Sequence, residues 1–188
     1  MKIKKRLYAS IVGLGIGERH LNFLKKNKNI EIISVFDPDV KKLKKISKKY
    51  NIKYVNSFKK ITLEKKTNLI IIASPDHFHT KQIVECIRNK KNIFIEKPIC
   101  NNLNDLTLII KQWKKNKDIV KIRSNLILRT APLFIWLKKK IESNYFGKIY
   151  SVDAEYLYGR LNKFLSGWRG KTADYSPMSG GGVHMIDL

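Results

Sequence analysis

The feature that most constrains this chain is IVGLGIGERH at positions 11–20, which carries an apolar run, Leu7–Val12, through closely spaced glycines into a helix-period pattern. Gly13 permits a tight turn, and Gly15 lets the backbone come close to a bound group. The amides at the helix start, with the favourable end of the helix dipole, can then hold a diphosphate. Taken alone, the loop is equally consistent with a simple turn. The basic Met1–Arg6 followed by apolar residues also imitates a short secretory leader. Three glycines interrupt that run, however, and no small-x-small cleavage site follows. The segment therefore reads as a first β-strand, and the protein as cytoplasmic.

Downstream, short runs rich in Ile and Val alternate with helix-period segments. The strand candidates are Leu7–Val12, Ile30–Phe36, Leu69–Ala73 and Asn92–Ile95, with a weaker one at Lys53–Val55. Thr80, Ile83, Val84 and Ile87 form one helical stripe. Leu106, Ile109, Ile110 and Trp113 form another, with Asn102 or Asn104 as its cap. This alternation predicts an α/β fold: residues 1–120 form a Rossmann-type, doubly wound parallel sheet.

From about residue 120 the pattern changes. Val120–Leu128 reads as a strand, and Pro132 opens a helix carrying Leu133, Trp136, Leu137 and Ile141 on one face. Lys148–Tyr158 alternates like a half-buried strand. A Gly-, Ser- and aromatic-rich loop leads to GGGVHMIDL, where the sequence stops. Two strands and one helix leave a sheet edge open. Residues 121–188 are therefore expected to be an incomplete α+β domain.

The net charge of +24 suggests nucleic acid or an anionic surface. Yet the excess is mostly lysine spread from end to end. In the helix expected after Asp37, Val40, Leu43 and Ile46 form the apolar stripe. Lys41, Lys42, Lys44, Lys45, Lys48 and Lys49 fall off it, as on a solvated face. Specific nucleic-acid binding is not expected. No apolar run reaches the 18 residues a membrane span needs. Cys86 and Cys100 lie in no CxxC pair and read as plain thiols of a reducing compartment.

The strand ending Val35-Phe36-Asp37 places an acidic residue 24 positions after Gly13. Such a carboxylate can take both ribose hydroxyls of an adenosine, and its charge repels a 2′-phosphate, which favours NAD while leaving NADP open. Asp37 can equally be a turn or capping residue. The loop departs from GxGxxG in one respect. The third glycine would stand at position 18, which holds Glu18, and Gly17 comes one residue early. Either the loop is shortened or the helix begins sooner.

Three further segments complete a pattern: Ala73-Ser74-Pro75-Asp76-His77-Phe78-His79, then Glu96-Lys97-Pro98, and finally Gly180-Gly181-Gly182-Val183-His184-Met185-Ile186-Asp187. With the glycine loop, in this order and spacing, they resemble the Gfo/Idh/MocA oxidoreductases. The resemblance covers essentially the whole chain, and the EKP triplet is its most specific mark.

The resemblance implies hydride transfer between nicotinamide and a carbinol carbon of a sugar, nucleotide sugar or cyclitol, with surface-polysaccharide metabolism as one setting. It implies a cofactor site at Gly13, Gly15, Ile16, Gly17, Asp37, Ser74, Pro75, His79, Glu96 and Lys97. Lys97 would stabilise charge on the reacting oxygen, and His184 would move the hydroxyl proton. Lys97, Arg169, His184 and Asp187 would meet the substrate. Lys97, Arg169 and His184 each have a plain alternative: a surface lysine, an exposed arginine, a hydrogen-bonded core histidine. Many members carry an aspartate four residues before this histidine, where Gly180 stands here.

His77 and His79 form an HxH pair, but further ligands in register are lacking, and no metal is expected. The complete protein would be a homo-oligomer. The chain ending at Leu188 is expected to bind NAD(H) but turn over sugars poorly. The alternatives are a dinucleotide-binding module without turnover and, less favoured, a basic nucleic-acid-binding protein.

Overall fold

Short runs of Ile, Val and Leu pair in register to build one parallel sheet. Its strands are β1 (Leu7–Val12), β2 (Ile30–Phe36), β3 (Leu69–Ile72), β4 (Asn92–Ile95) and β5 (Ile122–Ser124), in the order β2-β1-β3-β4-β5. The computed structural model describes residues 6–157, 159, 162–167, 170 and 176–188. The chain divides into two units, Met1–Ser124 and Asn125–Leu188.

In the first unit, successive side chains of a strand feed opposite layers, as the pleat requires. Ile70 and Ile72 of β3 join Ile83 and Ile87 of α4 (His79–Arg88) and Ile109 of α5 (Leu103–Lys114). Ile71, between them, joins Leu21 of α1 (Gly17–Leu24) and Leu43 and Ile46 of α2 (Val40–Tyr50). Both faces are covered, so the strands read as continuous apolar runs. Each fully buried aliphatic side chain contributes about 1.5–3 kcal/mol. One polar seam crosses this interior: the Ser10 hydroxyl bonds Ser34 at 3.1 Å and Thr67 at 2.9 Å.

The helices expected after Asp37 and Asn102 form, the first with Val40 of its apolar stripe left 57% exposed. α2 starts at Asp39, whose side chain accepts from the Lys42 amide, and α5 starts at Asn102, which accepts from the Asp105 amide. In α2 Leu43 and Ile46 are buried, while Lys41, Lys44, Lys45, Lys48 and Lys49 are exposed and Lys42 is half-buried. The candidate strand at Lys53–Val55 is a single bridge, Val35↔Tyr54, on the outer side of β2. The short α3 (Phe58–Leu63), capped by Ser57, was not foreseen, because six residues are too few to show a helical period.

Two expectations change. Residues 122–124 do not begin a second domain. They pair with β4, Ile93 against Ile122 and Ile95 against Ser124, so the first unit runs to Ser124 and not to 120. Val120 is fully buried, and the Trp113 indole donates to its carbonyl at 2.9 Å, which ties this segment to α5. In the second unit, residues 148–157 form no strand, and Tyr150 and Leu157 are over 90% exposed. Alternation alone cannot hold an extended segment. A ladder needs a partner, and no described segment supplies one. This unit instead holds α6 (Pro132–Glu142), opened by Pro132, then α7 (Asn162–Leu165), a π-helical turn at Met178–Gly182 and α8 (Val183–Ile186).

Candidate functional site

From β1 the chain moves to β2 on one side and later crosses to β3 on the other. The strand order therefore reverses between β1 and β3, and the crevice at their carboxyl ends is where such sheets take ligands. Every sequence-derived residue of the first unit lies at this edge, in the loops that follow the strands or, for Gly17 and His79, at the first residue of a helix.

The glycine loop fits its sequence. Gly13 has φ +82°, and a Cβ there would stand 2.5 Å from the Ser74 amide nitrogen and 2.6 Å from the Ala73 carbonyl. Only glycine lets the β1 turn cross the end of β3. Gly15 is exposed, with nothing within 4 Å of where a Cβ would sit. Ile16 beside it is 40% exposed. Together they leave an open cradle ahead of the Gly17 and Glu18 amides that open α1, while the Arg19 amide donates to the Ile16 carbonyl at 2.9 Å. A cofactor diphosphate fits that cradle.

The early third glycine also has its explanation. A Cβ on Gly17 would press on Ile11 Cγ2 at 3.0 Å and Ala73 Cβ at 3.4 Å. Gly17 is buried and provides the close helix–strand approach that the third glycine of the motif serves, one residue sooner, because α1 begins at Gly17 itself. Glu18, in the motif's nominal third position, turns away to Lys49 Nζ at 2.7 Å and the Tyr50 hydroxyl at 3.1 Å.

Asp37 does what a turn residue does. Its Oδ2 accepts from the Leu14 amide at 2.7 Å and its Oδ1 from the Asp39 amide at 2.9 Å, in a residue 5% exposed. Lys42 Nζ lies 3.7 Å from Oδ2. A carboxylate has about four acceptor positions, so these bonds hold the loop and leave lone pairs for a ribose.

Past β3, the Ser74 hydroxyl donates to Gln82 Oε1 at 2.6 Å, and Pro75 leads into a tight 3₁₀ turn, Asp76–Phe78. His79 is 1% exposed, with Nδ1 2.7 Å from the Pro98 carbonyl and Nε2 3.0 Å from that of Ser74. Burial pushes its pKa below the usual imidazole range, against the two carbonyls, which favour the protonated ring. His79 therefore lies beneath the turns and joins them, and does not border the crevice with its ring. Asp76 is also buried, and neither carboxylate oxygen has a hydrogen-bond partner among the described residues.

Past β4 come Glu96 and Lys97, both half-buried, then Pro98 after a cis peptide bond. Glu96 Oε1 is 2.6 Å from His20 Nε2, and His20 also meets Phe94 edge-on, at 5.7 Å between ring centres. His20 sits on α1, the helix that starts at the glycine loop. The sequence had assigned it no role. Its signal was position alone, one turn into the cofactor helix. Lys97 follows β4, two strands from β1 at the same edge, about 10 Å across at ordinary strand spacing.

In the second unit, His184 on α8 is buried. Asp187 is held by Arg129 through two guanidinium nitrogens, and this keeps the Arg129 pKa above its ordinary value. Arg129 was not anticipated, because the two lie 58 residues apart. Gly181 lies against the Tyr156 ring, 2.8 Å from where a Cβ would be. Arg160, Trp168 and Arg169 lie outside the described residues. Among those described, no group of His, Cys, Asp or Glu is arranged to hold a metal, and no helix is long and apolar enough to cross a membrane.

Residues 7–124 match the family model described as "Oxidoreductase family, NAD-binding Rossmann fold". The inositol 2-dehydrogenase of Salmonella paratyphi B is 29% identical over 147 residues, which cover 76% of this chain and 43% of that protein. The uncharacterized oxidoreductase YrbE of Bacillus subtilis is 26% identical over 80% of this chain and 46% of its own length. Among solved structures, the WlbA dehydrogenase of Chromobacterium violaceum, in complex with NADH and UDP-GlcNAcA, superposes with TM-score 0.85 at 23% identity, over 100% of this chain and 55% of that one. The matched regions span 28–46% of the curated relatives' lengths.

Proposed function

The chain belongs to the Gfo/Idh/MocA oxidoreductase family, and from that membership we propose that it binds NAD(H) at the β1–α1 loop and serves a dehydrogenase acting on a carbinol carbon of a sugar, nucleotide sugar or cyclitol. The observation that carries this reading is the convergence at one sheet edge. The open cradle at Gly15 and the Glu96-Lys97 segment stand at the carboxyl ends of β1 and β4, and His20 links the helix of one to the carboxylate of the other. The substrate class draws on the inositol dehydrogenases among the relatives and the nucleotide-sugar complex of the WlbA structure. A role in surface-polysaccharide synthesis belongs to the same proposal.

When bound, the nicotinamide supplies or accepts the hydride. The chain's residues have other tasks. The first-turn amides of α1 hold the diphosphate, and Asp37, fixed by the Leu14 amide, receives the adenosine ribose, which favours NAD over NADP. The Lys97 ammonium stabilises charge on the reacting oxygen. His184, whose role comes from the family pattern, takes the hydroxyl proton in oxidation and returns it in reduction. Arg169 and Asp187 serve as substrate contacts, Asp187 through the arrangement that Arg129 gives it. The protein works in the cytoplasm and associates with further copies of itself. The exposed Leu133 and Trp136 of α6 supply apolar surface for that.

Fluorescence enhancement of NADH on titration with the chain tests the cofactor site. A response that NAD competes away, and that NADP competes for less well, is the expected outcome. No response, together with steeply salt-dependent DNA binding, would transfer the chain to the basic nucleic-acid-binding reading.

A further inference from the structure

The two neighbours of Lys97 are each held by a histidine from a different helix. On one side, His20 of α1 meets the Glu96 carboxylate at 2.6 Å. On the other, His79 of α4 has Nδ1 2.7 Å from the Pro98 carbonyl and Nε2 3.0 Å from the Ser74 carbonyl, so the neutral ring donates to one of the two and packs against the other. Each contact spans separate structural elements: 76 residues of sequence for the first, 19 for the second. Each ring is also fixed by its surroundings. His20 packs edge-on to Phe94 of β4, and His79 is 1% exposed beneath its turn.

We propose that His20 and His79 are positioning residues that clamp the Lys97 segment from both sides, so that the lysine is held in place relative to the glycine turn. The inference deepens the function proposed above and takes the role of Lys97 from it. The physical need is plain. A lysine side chain has four rotatable bonds and no preferred direction, and its segment follows the end of a four-residue strand. Restraining the residues before and after it removes the backbone part of that freedom. Electrostatic stabilisation of a developing charge depends on such restraint.

The arrangement also joins the diphosphate loop to the lysine mechanically. His20 lies one turn into the helix that begins at Gly17. The second histidine is wedged between the Pro98 carbonyl of the lysine segment and the Ser74 carbonyl and donates to one of them. The amide of Ser74 is the atom a Gly13 Cβ would strike. The lysine segment is thus referenced at both ends to groups that flank the glycine loop.

The test measures the rate of acetylation of Lys97 by a limiting amine reagent, resolved by peptide mass spectrometry, with Lys66 as an internal reference. It is run on the whole chain with and without NADH. His20→Ala is expected to raise the Lys97 rate relative to Lys66 by about fivefold, the factor an ordinary net hydrogen bond confers. His20→Gln, which keeps a donor toward Glu96, is expected to restore it to within about twofold. Glu96→Gln combined with His20→Ala should add little to either alone, because both remove the same contact.

His79→Gln should also raise the rate. Should that buried variant fail to fold, the His20 series decides alone. A Lys97 rate unchanged in His20→Ala, or raised equally in the alanine and glutamine variants, overturns the clamp. The comparison without NADH stands whether or not the cofactor binds. Failure of NADH to protect Lys97 in the parent chain counts against the function and not against the clamp.

Discussion

The backbone amide of Leu14, inside the glycine loop, donates to the carboxylate of Asp37 at 2.7 Å. The residue expected to read the adenosine ribose is therefore also the residue that closes the loop. Asp37→Ala should lose both functions. We expect a loss of about 1.5–3 kcal/mol in urea unfolding, the range for a hydrogen bond to a charged group, and weaker NADH binding by fluorescence titration. Asp37→Asn keeps one acceptor oxygen for two amides, those of Leu14 and Asp39, so it should recover only part of the stability and less of the NAD preference.

Gly13 and Gly15 separate folding from binding. An alanine at Gly13 would drive its Cβ into the Ser74 amide at 2.5 Å from a backbone with φ +82°. Gly13→Ala is expected to cost more than about 2 kcal/mol, through overpacking and a disfavoured φ together. An alanine at Gly15 meets nothing within 4 Å. Gly15→Ala should leave the melting temperature within a few degrees of the parent but weaken NADH about tenfold, or ~1.4 kcal/mol, because its methyl enters the space a diphosphate needs. Thermal melts paired with NADH titrations check both. Equal damage from the two substitutions would remove the distinction.

Burial lowers the pKa of His79 in the folded chain, more strongly than the Pro98 and Ser74 carbonyls raise it. A depressed folded value means the unfolded chain binds this proton more readily. The stability gained by keeping the ring neutral is complete above the unfolded value, about 6.5. It is lost as pH falls through the lower folded value, with a slope of at most about 1.4 kcal/mol per pH unit. Urea unfolding at pH 7.5 and pH 5 should show this decline in the parent chain. It should be reduced in His79→Gln, whose side chain does not titrate.

The lysines of α2 that lie off its buried stripe make the charge a property of the surface. Any association with duplex DNA should therefore be independent of sequence and should disappear as salt rises from about 50 to 300 mM, while NADH binding changes little. Electrophoretic mobility shifts with two unrelated duplexes across that range check the expectation.

Much of the first unit was legible because parallel strands covered on both faces must be apolar throughout, and because a cap such as Asn102 announces its helix. The meaning of Gly17 was half legible. Its early position was visible, but only the approach of Ile11 shows that it packs the helix onto the sheet. The His20–Glu96 and Arg129–Asp187 contacts join distant parts of the chain, and no local pattern encodes such pairs. The alternation at residues 148–157 misled because a period of two states a preference that needs a neighbouring strand to be realised. The boundary moved to Ser124 for the opposite reason. The run Val120–Leu128 was legible as a strand, but nothing in it names β4 as its partner.

The single bridge at Tyr54 bounds one margin of the sheet, and the three-residue β5, with Arg123 in it, bounds the other. Long bare margins invite foreign chains to add on as extra strands, and brevity and cationic side chains discourage this. β5 is too short to recruit a stranger, whereas the Ile30–Ser34 stretch of β2 has no strand on its outer side among the described residues. A visiting strand would therefore lie down along β2, one strand away from the turn at Gly13.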